Sequence, residues 1–409
     1  MSHPERCLIP ALLVLLQTLA ATASAGHPPS PDSADTPGPD GVTIGYGDKG
    51  FELATANGDY RLQIQSRFQF RYATPYDTDP ITLSDFDKEA QNIFRVNRAR
   101  LKVGGNAFAP WVKYFWEYEL AASNLLDFRL MLEPSPYLRL KVGQWKAHFN
   151  RERVISSGQQ QMADRSLINR PFTIDRQQGV SLYGRIALGG AADFSYWLSV
   201  LMGAGRGART NDDNHLMYLA RLQWNFLGRE LGFQGSDTKS REQAAGLVAL
   251  AAVTNRSPYT RFSQDGGGQL DGFAPGSAGQ YRVQQALVET ALMVRGFSWQ
   301  HESHWKEVRD HASGAVTTLA GNYIQLGYFF ATILEWVPPE LEVAFRHALY
   351  TPDLRQEENL EHEYSLAVNW FFCDHRNKLT AEFGFFDFQR TIEEQKDGGR
   401  FRLQWDTSL

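Results

Sequence analysis

An all-β fold, a 16-stranded antiparallel barrel crossing a membrane, is what the 409 residues predict. Three observations carry that expectation. Apolar and polar side chains alternate with a period of two, in segments that recur about every 20 residues from Phe51 onward. The links between those segments alternate between long and short. No comparable stretch has the period of a helix, and the longest apolar run after the N-terminal region, LVALAAV at 247–253, is far below the roughly 20 residues of a membrane-spanning helix.

The chain opens with Arg6, an apolar run and then Ala23, Ser24 and Ala25, which reads as a secretory signal over 1–25 cleaved before Gly26. Residues 26–50 read as a flexible periplasmic leader. Its first part, GHPPSPDSADTPGPD, has too little apolar content to fold. GYGDKG at 45–50 has the Gly-x-Gly-x-x-Gly spacing but precedes no helix, so it reads as a turn-rich approach to the first strand rather than a cofactor loop. Residues 51–409 form the barrel domain.

RLQIQSRFQFRY at 61–72 shows the alternation most clearly. Leu62, Ile64, Phe68, Phe70 and Tyr72 share one parity, and the arginines and glutamines share the other. Successive side chains of a strand point to opposite faces, so one face is greasy and the other wet. Strands of this kind are predicted at 60–72, 93–105, 112–120, 126–132, 138–142, 180–188, 194–202 and 216–226, and then at 247–253, 284–294, 297–305, 324–330, 341–345, 364–372, 379–385 and 401–405. A barrel in an outer membrane joins its strands by short periplasmic turns and longer outer loops, which explains the alternating links. Two links break the pattern: AASN is brief where a long one is due, and 227–243 is long where a short one is due. A secreted β-sandwich has no reason to alternate its loops in this way. Tyr72, Trp111, Trp116, Trp224 and Trp305 fit an aromatic girdle at the membrane interfaces.

In such a barrel the apolar parity faces lipid and the polar parity faces a lumen too wide to be filled by side chains alone. The longest link, 148–176, contains Arg151, Arg153, Arg165, Arg170 and Arg176, with Lys146 just before it, against Glu152, Asp164 and Asp175. A loop of about 30 residues without a strand pattern is usually functional or disordered. Folded inward, it would place cations at a constriction, where rings of Arg or Lys select anions. Arg61, Arg67, Arg71, Arg98, Arg100 and Lys102 extend the basic stripe along the wall. The competing reading pairs these arginines with Glu117, Glu119 and Asp127, which would leave a weakly selective pore; acidic loops at 73–92 and 353–363 also work against anion attraction.

Other motifs carry less. In HESH at 301–304 the two histidines of a strand point to opposite faces, which argues against a metal. DGGGQLDG at 265–272 lacks a calcium-loop spacing and reads as a mobile outer loop. No nucleophile elbow is present, and no catalytic residue or cofactor is expected. The net charge of −5 provides no basic field for nucleic acid.

Several segments resemble the phosphate-selective porins O and P of Gram-negative outer membranes. They are GDKGFELATANGDYRLQIQSRFQFRY, FRVNRARLKVGGNAF and YLRLKVGQWKAHFNRERVISSGQQQMADRSLINRPFTIDRQQGVSLYG, the last being the most specific around Gly143, Gln144, Lys146, Asp164, Arg165 and Ser166. The resemblance implies a homotrimeric 16-stranded barrel with an inward third loop, set among outer-membrane lipid and lipopolysaccharide and inserted by the barrel assembly machinery. One departure concerns that machinery: Trp405 is followed by Asp406, Thr407, Ser408 and Leu409 instead of ending the chain. The expected function is passive diffusion of small hydrophilic solutes, leaning toward anions such as phosphate or polyphosphate. A general or cation-preferring porin, a plugged barrel serving as adhesin or structural anchor, and a barrel-embedded hydrolase are the alternatives.

Overall fold

The computed structural model describes residues 41–409 except 264–266 and 392–393. The signal over 1–25 and residues 26–40 of the leader lie outside the described residues. The first elements are a hairpin of β1 (Val42–Gly47) and β2 (Gly50–Thr55), followed by β3 (Arg61–Thr74), β4 (Ile93–Ala107), β5 (Ala109–Glu119), β6 (Asn124–Leu132) and β7 (Arg139–Lys146). Next come β8 (Arg176–Gly189), β9 (Ala192–Leu201), β10 (Met217–Trp224), β11 (Ala245–Ser257), β12 (Tyr281–Val294) and β13 (Phe297–Asp310). The last five strands are β14 (Val316–Phe329), β15 (Leu341–Thr351), β16 (Leu360–Cys373), β17 (Asn377–Gln389) and β18 (Gln395–Ser408).

Strands β3 to β18 pair each with the next, antiparallel throughout, and β18 returns to β3 from Phe401↔Thr74 to Ser408↔Arg67. This is a closed 16-stranded barrel, and each predicted segment overlaps one of its strands. Closure matters because an open edge in lipid would leave backbone N–H and C=O groups without partners. The apolar parity faces outward: Phe94, Phe128, Leu198, Trp224, Leu250, Phe345 and Phe383 are all exposed on the outer surface.

The reading of 26–50 as a leader is corrected for its last part. Residues 42–50 are β1 and the turn into β2. Strand β18 reaches only Arg67 of β3, and Leu409 closes the ladder through two backbone bonds to Ser66. The start of β3 therefore needs another partner, and β2 supplies it from Phe51↔Ile64 to Ala54↔Arg61. Gly50 permits the approach: its φ is +82°, and a Cβ there would lie 2.2 Å from the Ile64 carbonyl oxygen.

Inside, the lumen is not uniformly wet. The link 147–175 between β7 and β8 folds inward, carrying two short helices, α1 (Arg151–Val154) and α2 (Asn169–Phe172). Phe149 and Ile174 of this link pack with Phe262 of the β11–β12 link against Leu219, Val253, Val283, Leu287 and Val308 of the wall. Around β9–β13 the barrel thus encloses a hydrophobic core, although inward-facing positions were expected to be polar. The reading of 265–272 as a mobile loop is corrected for 267–272: Gly268 pairs with Arg261 through the backbone, and Leu270 is buried against Ile168 and Tyr323. Apolar residues flanking the glycines draw this segment onto the third loop.

Candidate permeation path and constriction

The third loop is fastened across the lumen by its backbone. The Ala163 N–H donates to Glu382 of β17 at 2.8 Å, the Leu167 N–H to Glu363 of β16 at 2.7 Å and the Glu152 N–H to Glu302 of β13 at 2.7 Å. The opposite wall is joined by Arg71, which donates to the Ala163 carbonyl at 2.8 Å and pairs with Asp164 at 3.2 Å. Wall carboxylates thus accept from loop N–H groups that the loop's irregular path leaves without backbone partners.

The constriction candidates separate into two groups. Arg153 pairs with Asp175 at 2.5 Å, and Arg176 with Asp127 at 2.6 Å and Glu117 at 3.6 Å. Burial pushes the Asp175 carboxyl up, but Arg153 and Arg176 outweigh it and hold the group below the usual carboxylate range. Arg165 donates to the carbonyls of Glu152 and Ile155 within its own loop, at 3.1 and 2.9 Å. Arg151 is fully buried and donates to the carbonyls of Gly232 and Gln234 at 2.6 and 3.1 Å. These four brace the loop. Lys146 and Arg170 differ: both are half-buried, and among the described residues neither has a carboxylate oxygen within 4.0 Å. Lys146 sits among Arg153, Arg165, Arg176 and Glu117.

The wall candidates divide in the same way. Arg67 is buried against Asp406 at 2.5 Å, and Arg71 against Asp77 at 3.0 Å. Arg100 pairs with Glu119 at 2.7 Å and Glu117 at 3.0 Å. Arg61 lies at the short-turn end, paired with Glu52 at 3.3 Å. A bulge at Asn97, where Gln69 faces Arg98 and Phe70 faces Val96, turns both Arg95 and Arg98 inward. Arg98 contacts Gln69 and reaches Asp164 at 3.8 Å. Lys102 is half-buried, and its only polar partner among the described residues is Gln65 at 3.3 Å.

Water can pass only where the lumen is not packed. Inward side chains of β9–β18 are buried almost throughout, whereas Gln63, Gln65, Arg98, Lys102, Phe115 and Arg129 on β3–β6 keep exposed surface. The less tightly packed side of the lumen is accordingly that of β3–β6, where Lys102 lies, with Lys146 at the end of β7. Above it a vestibule of about 1070 Å3 opens toward the long loops, lined among others by Arg98, Arg170, Arg261, Asp271 and Arg390. The acidic loops are neutralised in part: Asp77 pairs with Arg71 and Arg95, Asp79 with Arg400, Asp87 with Lys396 and Glu361 with Arg390, while Glu89, Glu357 and Glu358 are exposed without a cation within 4.0 Å among the described residues.

Sequence reasoning missed the role of several inward cations. Arg221, Arg346 and Arg402 are buried, paired with Glu289, Glu363 and Glu382. Arg346 and Arg402 lie on the inward parity beside the strand that supplies their acid, so cross-strand parity held the signal for these two, whereas Arg221 on β10 reaches past β11 to Glu289 on β12. The two histidines of HESH do point apart: His304 faces inward, 2.9 Å from Glu302, and His301 faces outward beside Ser303.

The profile of the family described as "Phosphate-selective porin O and P" matches residues 68–399. Among curated protein sequences, none matches the chain. Solved structures with a similar fold include an anion-selective porin from Comamonas acidovorans (10% identity, 86% of this chain and 100% of that one, TM-score 0.55) and OprB of Pseudomonas putida (8%, 85% and 94%, 0.55). The trimer form of OmpT from Vibrio cholerae is similar at 9% identity over 85% of this chain and 99% of that one, with a TM-score of 0.50.

Proposed function

Since the chain belongs to the phosphate-selective porin O and P family, non-enzymatic β-barrel channels of the Gram-negative outer membrane, we propose that it passes small hydrophilic solutes by diffusion and favours anions, with phosphate or polyphosphate as the preferred class. One observation carries the anion preference: the cations on the wet side, Lys102 and Lys146, are half-buried without a carboxylate oxygen within 4.0 Å, while the acids beside them are engaged by arginines. An anion passing there exchanges part of its hydration shell for the N–H donors of Lys102 and Lys146 in a low-dielectric passage. A weakly selective pore is the second reading, supported by the vestibule lining, where eight arginines face seven carboxylates. The proposed assembly is a homotrimer, a reading supported by the trimer form known for the similarly folded OmpT.

The test is the reversal potential of single channels in a planar bilayer under a salt gradient. The expected result is an anion-selective potential, block by added phosphate, and a roughly tenfold fall in the anion-to-cation permeability ratio for Lys102→Glu combined with Lys146→Glu. A potential that ignores the double substitution sinks the anion reading, and the absence of any conductance favours the plugged barrel.

A further inference from the structure

The segment 225–244, between β10 and β11, lies at the same end of the barrel as the short turns, yet it rises into the lumen instead of closing as a turn. Its tip meets the third loop, which descends from the opposite end. The Gly235 N–H donates to the Gln159 carbonyl at 2.8 Å, and Arg151 donates to the carbonyls of Gly232 and Gln234. Gly235 is required at this contact, because a Cβ would fall 2.7 Å from the Gln159 oxygen and 2.9 Å from the Gln161 nitrogen. Both partners are then fixed to the same wall residue: Glu342 accepts from Gln161 at 2.8 Å and from Ser236 at 2.9 Å.

The segment is also anchored along its length. Leu231 is buried on Ala245, Leu247, Ala249, Ala291 and Met293 of β11 and β12. Asp237 accepts from the backbone of Gly296, at 3.0 Å, and from Arg241. The inward face of β11 is apolar here, a surface that open water would not cover favourably and that this segment does cover.

The geometry points to 225–244 as a periplasmic strut that positions the constriction loop, holding it over the β9–β13 side so that the passage stays confined to the cationic β3–β7 side. Gly235 and Arg151 are its positioning residues. They act through the loop rather than on the solute, so their removal changes how wide the passage is as well as which ions it prefers.

The experiment uses the full refolded chain lacking 229–241, and as a second variant Gly235→Val, which keeps the segment but forces it off the loop. Trypsin added from the outer side should cut the third loop at its arginines in both variants and spare it in the parent protein. Single-channel conductance should rise roughly twofold as the half-filled lumen opens. A folded variant whose third loop stays protected overturns the strut. The conductance readout rests on the channel reading, but the cleavage readout does not: a parent barrel with no conductance would refute the channel while the protease result still decides the strut.

Discussion

The walls β3–β7 and β9–β13 share one alternating pattern and enclose different media. On the first, inward positions such as Gln65, Arg98, Arg100, Lys102 and Arg129 keep contact with solvent, beside Arg67, Arg71, Glu117 and Asp127 that are buried in ion pairs. On the second, Leu219, Ala251, Val253, Val283 and Leu287 also point inward, under the third loop and the β11–β12 link. A barrel with two such walls is half channel and half folded domain. The same ion pair should therefore be worth different amounts on the two sides.

Arg221 and Glu289 form the dry version, bonded at 2.7 and 2.8 Å with both side chains fully buried. Arg221→Ala would leave Glu289, among the described residues, with only the Arg151 N–H, at 3.1 Å, and should cost about 4 kcal/mol, since an uncompensated buried charge is expensive. Urea unfolding in detergent measures it, and replacing both residues by leucine should recover most of the loss. Arg100 and Glu119 form the counterpart on the β3–β7 wall, at 2.7 Å with side-chain exposures of 11% and 8%. Arg100→Ala should cost less, about 2 kcal/mol, because Glu119 keeps the Ala99 N–H at 2.7 Å and Glu117 keeps Arg176 at 3.6 Å. Equal losses at the two sites would break the distinction between the walls.

How much of this was legible in the sequence follows from the same contrast. Parity located the lipid face along most strands, because lipid favours apolar side chains; in β4 the bulge at Asn97 switches it. Parity could not say what the other face meets, since a lumen filled by loops and a lumen filled by water both follow the same period. Composition did hold a hint: LVALAAV at 247–253 is apolar on both parities, and a strand of that kind in a barrel needs protein on its inner side. The overlong link 227–243 is what covers part of it. For the candidate site, charge and position selected the loop, but the division into braces and cations without a carboxylate partner depends on partners far apart in sequence. Arg176 with Asp127 and Arg67 with Asp406 are brought together only by the closed register.

The smallest effect expected lies where the two media meet. Glu152 at the start of the third loop accepts from Ser166 at 2.7 and 2.9 Å and lies 3.8 Å from Arg346, with Glu302 nearby. Burial pushes its carboxyl up from 4.5 to about 7, an effect the Arg346 guanidinium opposes and Glu302 reinforces. The native loop therefore binds a proton that the unfolded chain has released over this interval. Stability from this group is fully present below pH 4.5 and is lost as pH rises through about 7. The parent barrel should accordingly show a lower urea midpoint at pH 8 than at pH 5, and Glu152→Gln, which stays neutral, should lose less over the same interval. A variant with the parent's full pH dependence would place the titrating group elsewhere. It would also mean that the loop's first helix is wetter than its packing indicates, which would draw the boundary between the two walls further into the β9–β13 side.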